Sequence, residues 1–338
     1  MEYITLGKTN LFVSRIGFGA LPIQRVTDMD EVAAILRTAY EGGINFYDTA
    51  RLYTDSEEKL GLCFSEMRDD IIFASKTMAP DASSLRHDIE TSLENLQTDY
   101  IDLYQLHNPP FLPVPGGEDG LYDALLAEKK AGKIRHIGIT NHSRKIILEA
   151  IHSGLYETVQ YPFSYLSDEE DERLVHLCAE KQIGFIAMKA LAGGLITNTP
   201  AAFAWMQQFE NAVPVWGIQK KDEIDHYLAL NRYPPHLDKK IKAAIQKDRE
   251  ELCGSFCRGC GYCLPCPAGI PINNANRMSQ LLRRSPKEQW LTAEWQEGMM
   301  RIEQCTHCGY CSLRCPYGLK PYETLPGQLA EYLTFLEK

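Results

Sequence analysis

Over about residues 1–235, short apolar runs alternate with longer segments of helical periodicity. Eight runs rich in β-branched and aromatic residues are typical of buried strands, and each is followed by a segment in which apolar residues recur with helical spacing. The strand candidates are SRIGFGA, INFYDTA, IIFASKT, YIDLYQLH, RHIGITN, TVQYPFSY, IGFIAMKA and VPVWGIQ. Eight strand–helix units in this length predict a (β/α)8 TIM barrel, which needs about 250 residues. A doubly wound open sheet is less favoured, because no early strand is followed by a G-x-G-x-x-G turn.

The bulk composition disfavours several functional classes. The chain has 338 residues, of which 44% are hydrophobic and 24% charged, as in an ordinary folded protein. Its net charge of −10 argues against a surface for nucleic acid or for an anionic membrane. No apolar run approaches the roughly 18 residues of a membrane span, and the N-terminal stretch lacks the apolar region of a signal peptide. We therefore expect a cytoplasmic protein whose thiols are kept reduced.

Polar side chains follow several of the predicted strands at their C-terminal ends, where TIM barrels place their chemistry. Asp48, Lys76 and His107 end three successive strands, Asn141 ends the next, and Tyr53 lies in the loop after Asp48. A phenol has a pKa near ~10, and a neighbouring ammonium held by a carboxylate favours the phenolate. With a histidine beside the substrate carbonyl, such a phenol can protonate the carbonyl oxygen. Each residue alone has an ordinary structural explanation, but their joint placement favours one proton-transfer site.

The motifs NFYDTARLY, FASKT, LYQLHNP, IGITN and MKALAGGL resemble those of the aldo/keto reductase family, over about residues 1–230. The resemblance implies interconversion of a small carbonyl and an alcohol. It implies a catalytic tetrad of Asp48, Tyr53, Lys76 and His107, with Tyr53 as general acid. In that tetrad Lys76 and Asp48 adjust the pKa of the Tyr53 hydroxyl, and His107 orients the substrate carbonyl.

The resemblance also implies a nicotinamide coenzyme, NADP(H) or NAD(H). The candidate coenzyme residues are Asn141 and Gln160, which would hold the nicotinamide carboxamide, together with Met188, Leu191, Gly217, Gln219 and Lys220. Met188 stands where the family usually has an aromatic residue that stacks on the nicotinamide. Glu223 stands where many relatives have an arginine on the 2′-phosphate, which a carboxylate would repel, although Lys220 and Lys221 are close by. Tyr227 stands where an asparagine typically contacts the adenine.

Nine of the eleven cysteines fall between residues 253 and 315, a shift in composition that indicates a second domain. The other two, Cys63 and Cys178, lie in helical patterns and are predicted to be core side chains. The two dense runs are Cys257-x2-Cys260-x2-Cys263-x2-Cys266-Pro and Cys305-x2-Cys308-x2-Cys311-x3-Cys315-Pro. Three cysteines at this spacing suit one face of a [4Fe–4S] cluster, whereas zinc sites use cysteine pairs separated by a longer loop. The runs therefore predict iron–sulfur clusters, with zinc a distant second.

This C-terminal part resembles a dicluster ferredoxin module, in which the fourth cysteine of each run binds the other cluster. The resemblance assigns one [4Fe–4S] cluster to Cys257, Cys260, Cys263 and Cys315, and the other to Cys305, Cys308, Cys311 and Cys266. The left-over Cys253 is predicted to be a core thiol, with a substitute cluster ligand as the alternative interpretation. The expected domains are the barrel at 1–235, a helical connector at 236–252 and a ferredoxin-like domain at 253–338.

The segment between the two cysteine runs is predicted to form two helices. It gathers the basic residues Arg277, Arg283, Arg284 and Lys287 on an otherwise acidic protein. A solvated helix face is the simpler interpretation. A docking patch for an acidic redox carrier such as ferredoxin is the alternative.

The leading functional hypothesis is an aldo/keto-reductase-type oxidoreductase with two [4Fe–4S] clusters for electron transfer. A nicotinamide transfers two electrons at once and a cluster transfers one, so communication between them would need a converter such as flavin, of which the sequence shows no fingerprint. Two alternatives stay open: an NAD(P)H-dependent carbonyl reductase with structural clusters, and a non-catalytic electron-transfer or redox-sensing subunit.

Overall fold

The computed structural model describes residues 1–252 and 256–337. These residues form two compact units. The first unit comprises Met1–Ala190 and Phe203–Leu237, and the second comprises Leu191–Ala202 and the described residues from Asp238 onward. Cys253, predicted to be a core thiol, lies outside the described residues.

Within the described residues, the first unit contains a closed barrel of eight parallel strands, which confirms the (β/α)8 prediction. An antiparallel hairpin, β1 (Tyr3–Thr5) and β2 (Phe12–Ser14), precedes the barrel. The barrel strands are β3 (Gly17–Gly19), β4 (Phe46–Asp48), β5 (Ile72–Thr77), β6 (Ile101–His107), β7 (Ile134–Thr140), β8 (Thr158–Pro162), β9 (Gly184–Met188) and β10 (Ala212–Gly217). They are neighbours in chain order, and β10 closes the barrel on β3. Six of the eight strand candidates contain the corresponding strand, and β7 and β10 each begin one residue before their candidates.

Helices follow the strands as the periodicity predicts. They are α1 (Met29–Glu41), α2 (Ser56–Phe64), α3 (Ala82–Leu96), α4 (Leu121–Lys130), α5 (Arg144–Ser153), α6 (Glu169–Glu180), α7 (Thr199–Met206) and α8 (Lys221–Arg232). Side-chain caps start several of them: Asp81 accepts from the N–H of Ser84, and Ser143 accepts from the N–H of Ile146. Helix α2 ends at Phe64, and the chain continues as a 3-10 turn over Ser65–Asp70.

The N-terminal hairpin packs on the barrel core at the end opposite to the strand C-termini. Leu6, Leu11 and Val13 belong to one buried cluster with Phe46, the first residue of β4. The cluster also includes Leu103, Ile186 and Val213 of the other strands. Apolar packing therefore fills the lower barrel, and the polar strand ends lie at the other end.

The second unit is helical in the described residues, with α9 (Lys239–Leu252), α10 (Ile272–Ala275), α11 (Met278–Arg284), α12 (Ala293–Met300), α13 (Tyr310–Leu313) and α14 (Pro321–Leu336). The charged connector predicted to be helical forms α9. The segment between the cysteine runs forms α10, α11 and α12 with 3-10 turns at Lys287–Trp290 and Arg301–Gln304, instead of two plain helices. None of the described helices is both long and apolar enough to cross a membrane.

Candidate functional site

Strand register brings the predicted catalytic residues to one end of the barrel. Asp48 is the last residue of β4 and pairs with Ala74 of β5, two residues before Lys76. Lys76 pairs in turn with Gln105 of β6, two residues before His107. Because neighbouring parallel strands run side by side, these three side chains lie at adjacent strand ends.

Asp48 and Lys76 form a buried ion pair at this end. Lys76 Nζ donates to Asp48 Oδ1 at 2.7 Å and to the Thr49 carbonyl at 2.7 Å, and both side chains are nearly inaccessible to solvent. Burial lowers the pKa of Lys76, and the Asp48 carboxylate opposes that shift. Asp48 Oδ2 is buried without a hydrogen-bond partner in the described residues.

Tyr53 and His107 lie beside this pair. Lys76 Nζ is 5.4 Å from the centroid of the Tyr53 ring, and the Tyr53 and His107 rings meet edge to face with centroids 5.9 Å apart. Burial, followed by the charges of Lys76 and Lys189, lowers the pKa of His107 to about 3. The imidazole is therefore neutral at physiological pH. Its Nδ1 is buried and has no hydrogen-bond partner among the described residues.

Glu57 of α2 is a further buried carboxylate next to the tetrad, which the sequence analysis did not single out. Its Oε1 accepts hydrogen bonds from Ser75 at 2.5 Å and from Ser92 at 2.7 Å, and its Oε2 accepts from Arg51 at 2.6 Å. Its charge raises the pKa of Lys76. In the sequence, Glu57 looks like an ordinary first-turn glutamate, and only the structure shows that it is buried.

The residues predicted to hold the nicotinamide carboxamide lie on the next two strands. Asn141 follows β7, and its side chain donates to the Pro109 carbonyl at 2.8 Å and accepts from the Ser143 N–H at 2.7 Å. Gln160 of β8 accepts at 3.0 Å from Gln105. A primary amide has two N–H groups and an oxygen with two lone pairs, so both side chains keep hydrogen-bonding capacity for a ligand. The sites therefore fit a carboxamide.

The other predicted coenzyme residues lie at several places. Met188 ends β9, and the Thr140 hydroxyl donates to its sulfur at 3.8 Å. Gly217 ends β10, and a Cβ at this position would lie 3.1 Å from Pro22. Leu191 belongs to the second unit.

Gln219 and Lys220 lie at the start of α8, where Glu223 occupies the helix terminus. Glu223 Oε2 accepts the backbone N–H of Gln219 at 2.8 Å and that of Lys220 at 3.1 Å. These N–H groups would otherwise be donors for an anion such as phosphate. Tyr227 is buried against Trp216 with ring centroids 4.9 Å apart, so its ring is held in the packing of α8 on the barrel.

The cysteines of the second unit line two cavities. One, of about 320 Å³ including space open to solvent, is lined by Cys257, Cys260, Cys263 and Cys315. The other, of about 390 Å³ on the same basis, is lined by Cys266, Cys305, Cys308 and Cys311, and also by Cys263. We call the first the inner cavity and the second the outer cavity, because Cys308, which lines the second, is exposed. Each cavity brings together three cysteines of one run and the last cysteine of the other, which is the crossed arrangement that the resemblance implies.

The donor set of each cavity fits iron–sulfur ligation, because [4Fe–4S] clusters are held by four cysteine thiolates. Burial raises the pKa of Cys257, and burial raises the pKa of Cys263 to about 12. The raised pKa keeps both thiols protonated in the free chain, so binding of a metal centre must displace these protons. No group of three or more His, Cys, Asp or Glu side chains in the described ranges is placed to hold a single metal ion. Cys178, by contrast, is a buried core side chain as predicted, and Cys63 is only partly buried.

The basic residues of the second unit do not form the exposed patch that their spacing suggests. Arg284 donates to the Leu195 carbonyl at 3.1 Å and pairs with Asp248 at 2.9 Å, and its side chain is 11% exposed. Arg277 is buried. Arg283 is exposed and pairs with Glu331. The docking-patch hypothesis is therefore wrong for Arg277 and Arg284, because packing withdraws both from the surface.

Comparison with known proteins agrees with this architecture. The family model described as "Aldo/keto reductase family" matches residues 15–233, and the model described as "4Fe-4S dicluster domain" matches residues 256–320. The chain is 33% identical over 220 residues to the aldo-keto reductase YhdN of Bacillus subtilis, an alignment that covers 59% of this chain and 64% of that protein. It is also 33% identical over 216 residues to L-galactose dehydrogenase of Arabidopsis thaliana, covering 59% of this chain and 68% of that protein. The matched region thus spans less than two thirds of the length of YhdN.

A solved structure shows the same fold. The aldo-keto reductase AKR11C1 from Bacillus halodurans, in a holo form, superposes with a TM-score of 0.64 at 24% identity, covering 73% of this chain and 96% of that one. The family model covers more than half of this chain, from the strand that opens the barrel to the end of its last helix. The chain belongs to the aldo/keto reductase family.

Proposed function

We propose that the barrel interconverts a small carbonyl compound and its alcohol with a nicotinamide coenzyme, with Tyr53 as the proton donor. The observation that supports this most strongly is the buried Asp48–Lys76 pair beside the Tyr53 ring and the neutral His107. The coenzyme, when bound, supplies or accepts the hydride. The chain's own residues position the carbonyl and move the proton.

In the reduction direction, Tyr53 donates its hydroxyl proton to the carbonyl oxygen as the carbonyl carbon accepts the hydride. The Lys76 ammonium stabilises the phenolate that remains, and Asp48 keeps the ammonium in place. A neutral imidazole retains one N–H, so His107 can donate a hydrogen bond to the carbonyl oxygen without competing as a stronger acid. A proton from solvent then restores Tyr53, and the cycle consumes one hydride and one proton.

We propose further that the second unit binds two [4Fe–4S] clusters and transfers electrons. The four-cysteine sets lining the inner and outer cavities support this assignment. Cys263 and Ile272 line both cavities, so two clusters bound there would be close neighbours. A bound cluster would carry one electron at a time. A redox protein such as ferredoxin is the partner that this chemistry fits, and exchange with a nicotinamide would require a converter such as flavin.

The test of the barrel proposal is turnover by the Tyr53→Phe variant. The full-length chain, loaded with iron and sulfide under anaerobic conditions, is assayed with a panel of small aldehydes and ketones and with NADH or NADPH. The wild type should consume coenzyme in a carbonyl-dependent reaction, and Tyr53→Phe should lose at least about 10²-fold of that rate, because a general acid contributes roughly 10²–10⁴-fold.

The matched control is Tyr3→Phe, which removes a hydroxyl that bonds the Gly43 carbonyl in the N-terminal region, away from the strand C-termini. Iron content and coenzyme affinity should be unchanged in both variants. A Tyr53→Phe variant that turns over at the wild-type rate would refute the role of Tyr53.

A further inference from the structure

The inner cavity has a buried arginine against its cysteine loop. Arg277 precedes α11 and is 7% exposed, and its guanidinium lies directly over the backbone of Gly259, between Cys257 and Cys260. A Cβ added at Gly259 would lie 2.5 Å from Arg277 Cζ. The glycine, with φ near +63°, therefore leaves the space that the guanidinium fills.

The hydrogen bonds of Arg277 hold its guanidinium in place, and both acceptors are neutral, so its positive charge is not compensated by them. Nη1 donates to the Gly193 carbonyl at 3.0 Å, and Nη2 donates to Asn274 Oδ1 at 3.2 Å. Nε is buried and has no hydrogen-bond partner among the described residues. No carboxylate in the described part of the chain forms an ion pair with this guanidinium, although buried charges are usually paired.

The charge of Arg277 acts on the cysteines of the inner cavity. Burial lowers the pKa of Arg277, and the sulfurs of Cys257 and Cys260 oppose that shift. Arginine nevertheless stays protonated in proteins. The described lining of the inner cavity also includes the partly exposed Arg258, whose guanidinium lies over the Tyr317 ring. The described lining of the outer cavity has no charged side chain, and Arg314 near it is exposed to solvent.

We propose that Arg277 is the buried counter-charge of the cluster in the inner cavity and that it raises the reduction potential of that cluster selectively. The inference rests on the cluster assignment proposed above. Four thiolates give a [4Fe–4S] cluster a net negative charge, and one more electron makes that charge larger. A fixed cation in a low-dielectric site stabilises the reduced form more than the oxidised form. Arg277 is thus a positioning and tuning residue, and it is not a cluster ligand.

The experiment is a redox titration of the full-length chain, reconstituted anaerobically and followed by electron paramagnetic resonance. Arg277→Met keeps the length of the side chain and removes its charge, Arg277→Gln keeps an amide donor, and Arg277→Lys keeps the charge. Arg283→Gln is the matched control, since that arginine is exposed and pairs with Glu331. Iron and acid-labile sulfide are measured for each protein.

In Arg277→Met or Arg277→Gln, one of the two midpoint potentials should fall by at least a tenfold change in the reduction equilibrium, 59 mV for a one-electron couple. The other midpoint should stay at the wild-type value, and Arg277→Lys and Arg283→Gln should resemble the wild type. If the neutral variants lose one cluster and Arg277→Lys keeps both, a requirement for the charge is likewise supported.

Unchanged midpoints in a neutral variant with full iron content would overturn the proposal, as would an equal fall of both midpoints. Loss of the cluster in Arg277→Lys as well would assign Arg277 a packing role only. Failure of the cluster assignment itself is distinguishable, because the wild-type chain would then bind no iron and sulfide.

Discussion

The buried pair at the base of the proposed catalytic site predicts a large and separable effect for Lys76→Met. The substitution removes the cation that contacts Asp48 Oδ1 at 2.7 Å and leaves a carboxylate that is 4% exposed. Removing one member of a buried ion pair typically costs about 3–5 kcal/mol of stability. We therefore expect the free energy of unfolding to fall by that amount, and carbonyl reduction to fall by at least about 10²-fold.

A double variant separates the loss of stability from the loss of carbonyl reduction. Adding Asp48→Asn to Lys76→Met removes the stranded charge, and an unpaired neutral amide costs only about 1–3 kcal/mol. The double variant should thus be more stable than Lys76→Met while remaining inactive. Stability is measured by denaturant unfolding under anaerobic conditions, with far-UV circular dichroism.

Lys59→Met is the control for burying a methionine in place of a lysine. Lys59 donates to the carbonyls of Ile23 and Val26, but its carboxylate partner Asp55 is 46% exposed. Solvent can therefore stabilise the carboxylate left behind, and Lys59→Met should keep its carbonyl reductase activity. If Lys76→Met is no less stable than Lys59→Met, or if the double variant is no more stable than Lys76→Met, then the stranded Asp48 carboxylate is not the cause of the loss of stability.

Three further predictions concern the coenzyme, the clusters and pH. Glu223→Gln keeps the hydrogen-bond acceptor at the start of α8 and removes its charge. The ratio of kcat/KM for NADPH to kcat/KM for NADH should therefore rise roughly tenfold, which corresponds to about 1.4 kcal/mol. An unchanged ratio would show that the Glu223 carboxylate does not repel the 2′-phosphate. Cys315→Ser should deplete the cluster bound by the 257–263 run and leave the other, as counted by iron and electron paramagnetic resonance, whereas loss of the cluster bound by the 305–311 run would contradict the crossed ligation. Burial depresses the pKa of His107 to about 3, below the unfolded value near ~6.5, so unfolded chains bind more protons between those values. The free energy of unfolding should consequently fall as pH falls from about 6.5 toward about 3. His107→Asn should flatten that part of the pH–stability curve. An unaltered curve would refute the depressed pKa of His107.

The sequence was sufficient to predict the barrel, because each strand is a compact apolar run followed by a helix with one apolar face. It also predicted that Asp48, Lys76 and His107 lie close together, since they are at the C-terminal ends of successive strands and parallel neighbours bring those ends together. The cysteine spacing predicted iron–sulfur ligation, and the resemblance to a dicluster module implied the two crossed four-cysteine sets, whose members line the two cavities. These features depend on local pattern and topology, both of which are visible in a single sequence.

The features that the sequence did not reveal depend on burial and long-range contact. Glu57 has the local appearance of a solvated first-turn glutamate, yet Ser92 of α3 and Arg51 enclose it. The arginines at 277 and 284 looked like a surface patch, because neither their burial nor their partners in the segment 191–202 have a periodic signal. That segment follows a barrel strand in the chain but groups with the second unit.

The most direct test of the central claim is the fate of the transferred hydrogen. The cluster-loaded, full-length chain is incubated anaerobically with a small aldehyde and with NADH or NADPH that carries deuterium at both C4 positions, and the alcohol is examined by mass spectrometry. We expect the wild type to form an alcohol with one deuterium on its carbinol carbon, and Tyr53→Phe to lose this product. An alcohol without deuterium, or no alcohol from any carbonyl tested with either coenzyme, would contradict this expectation.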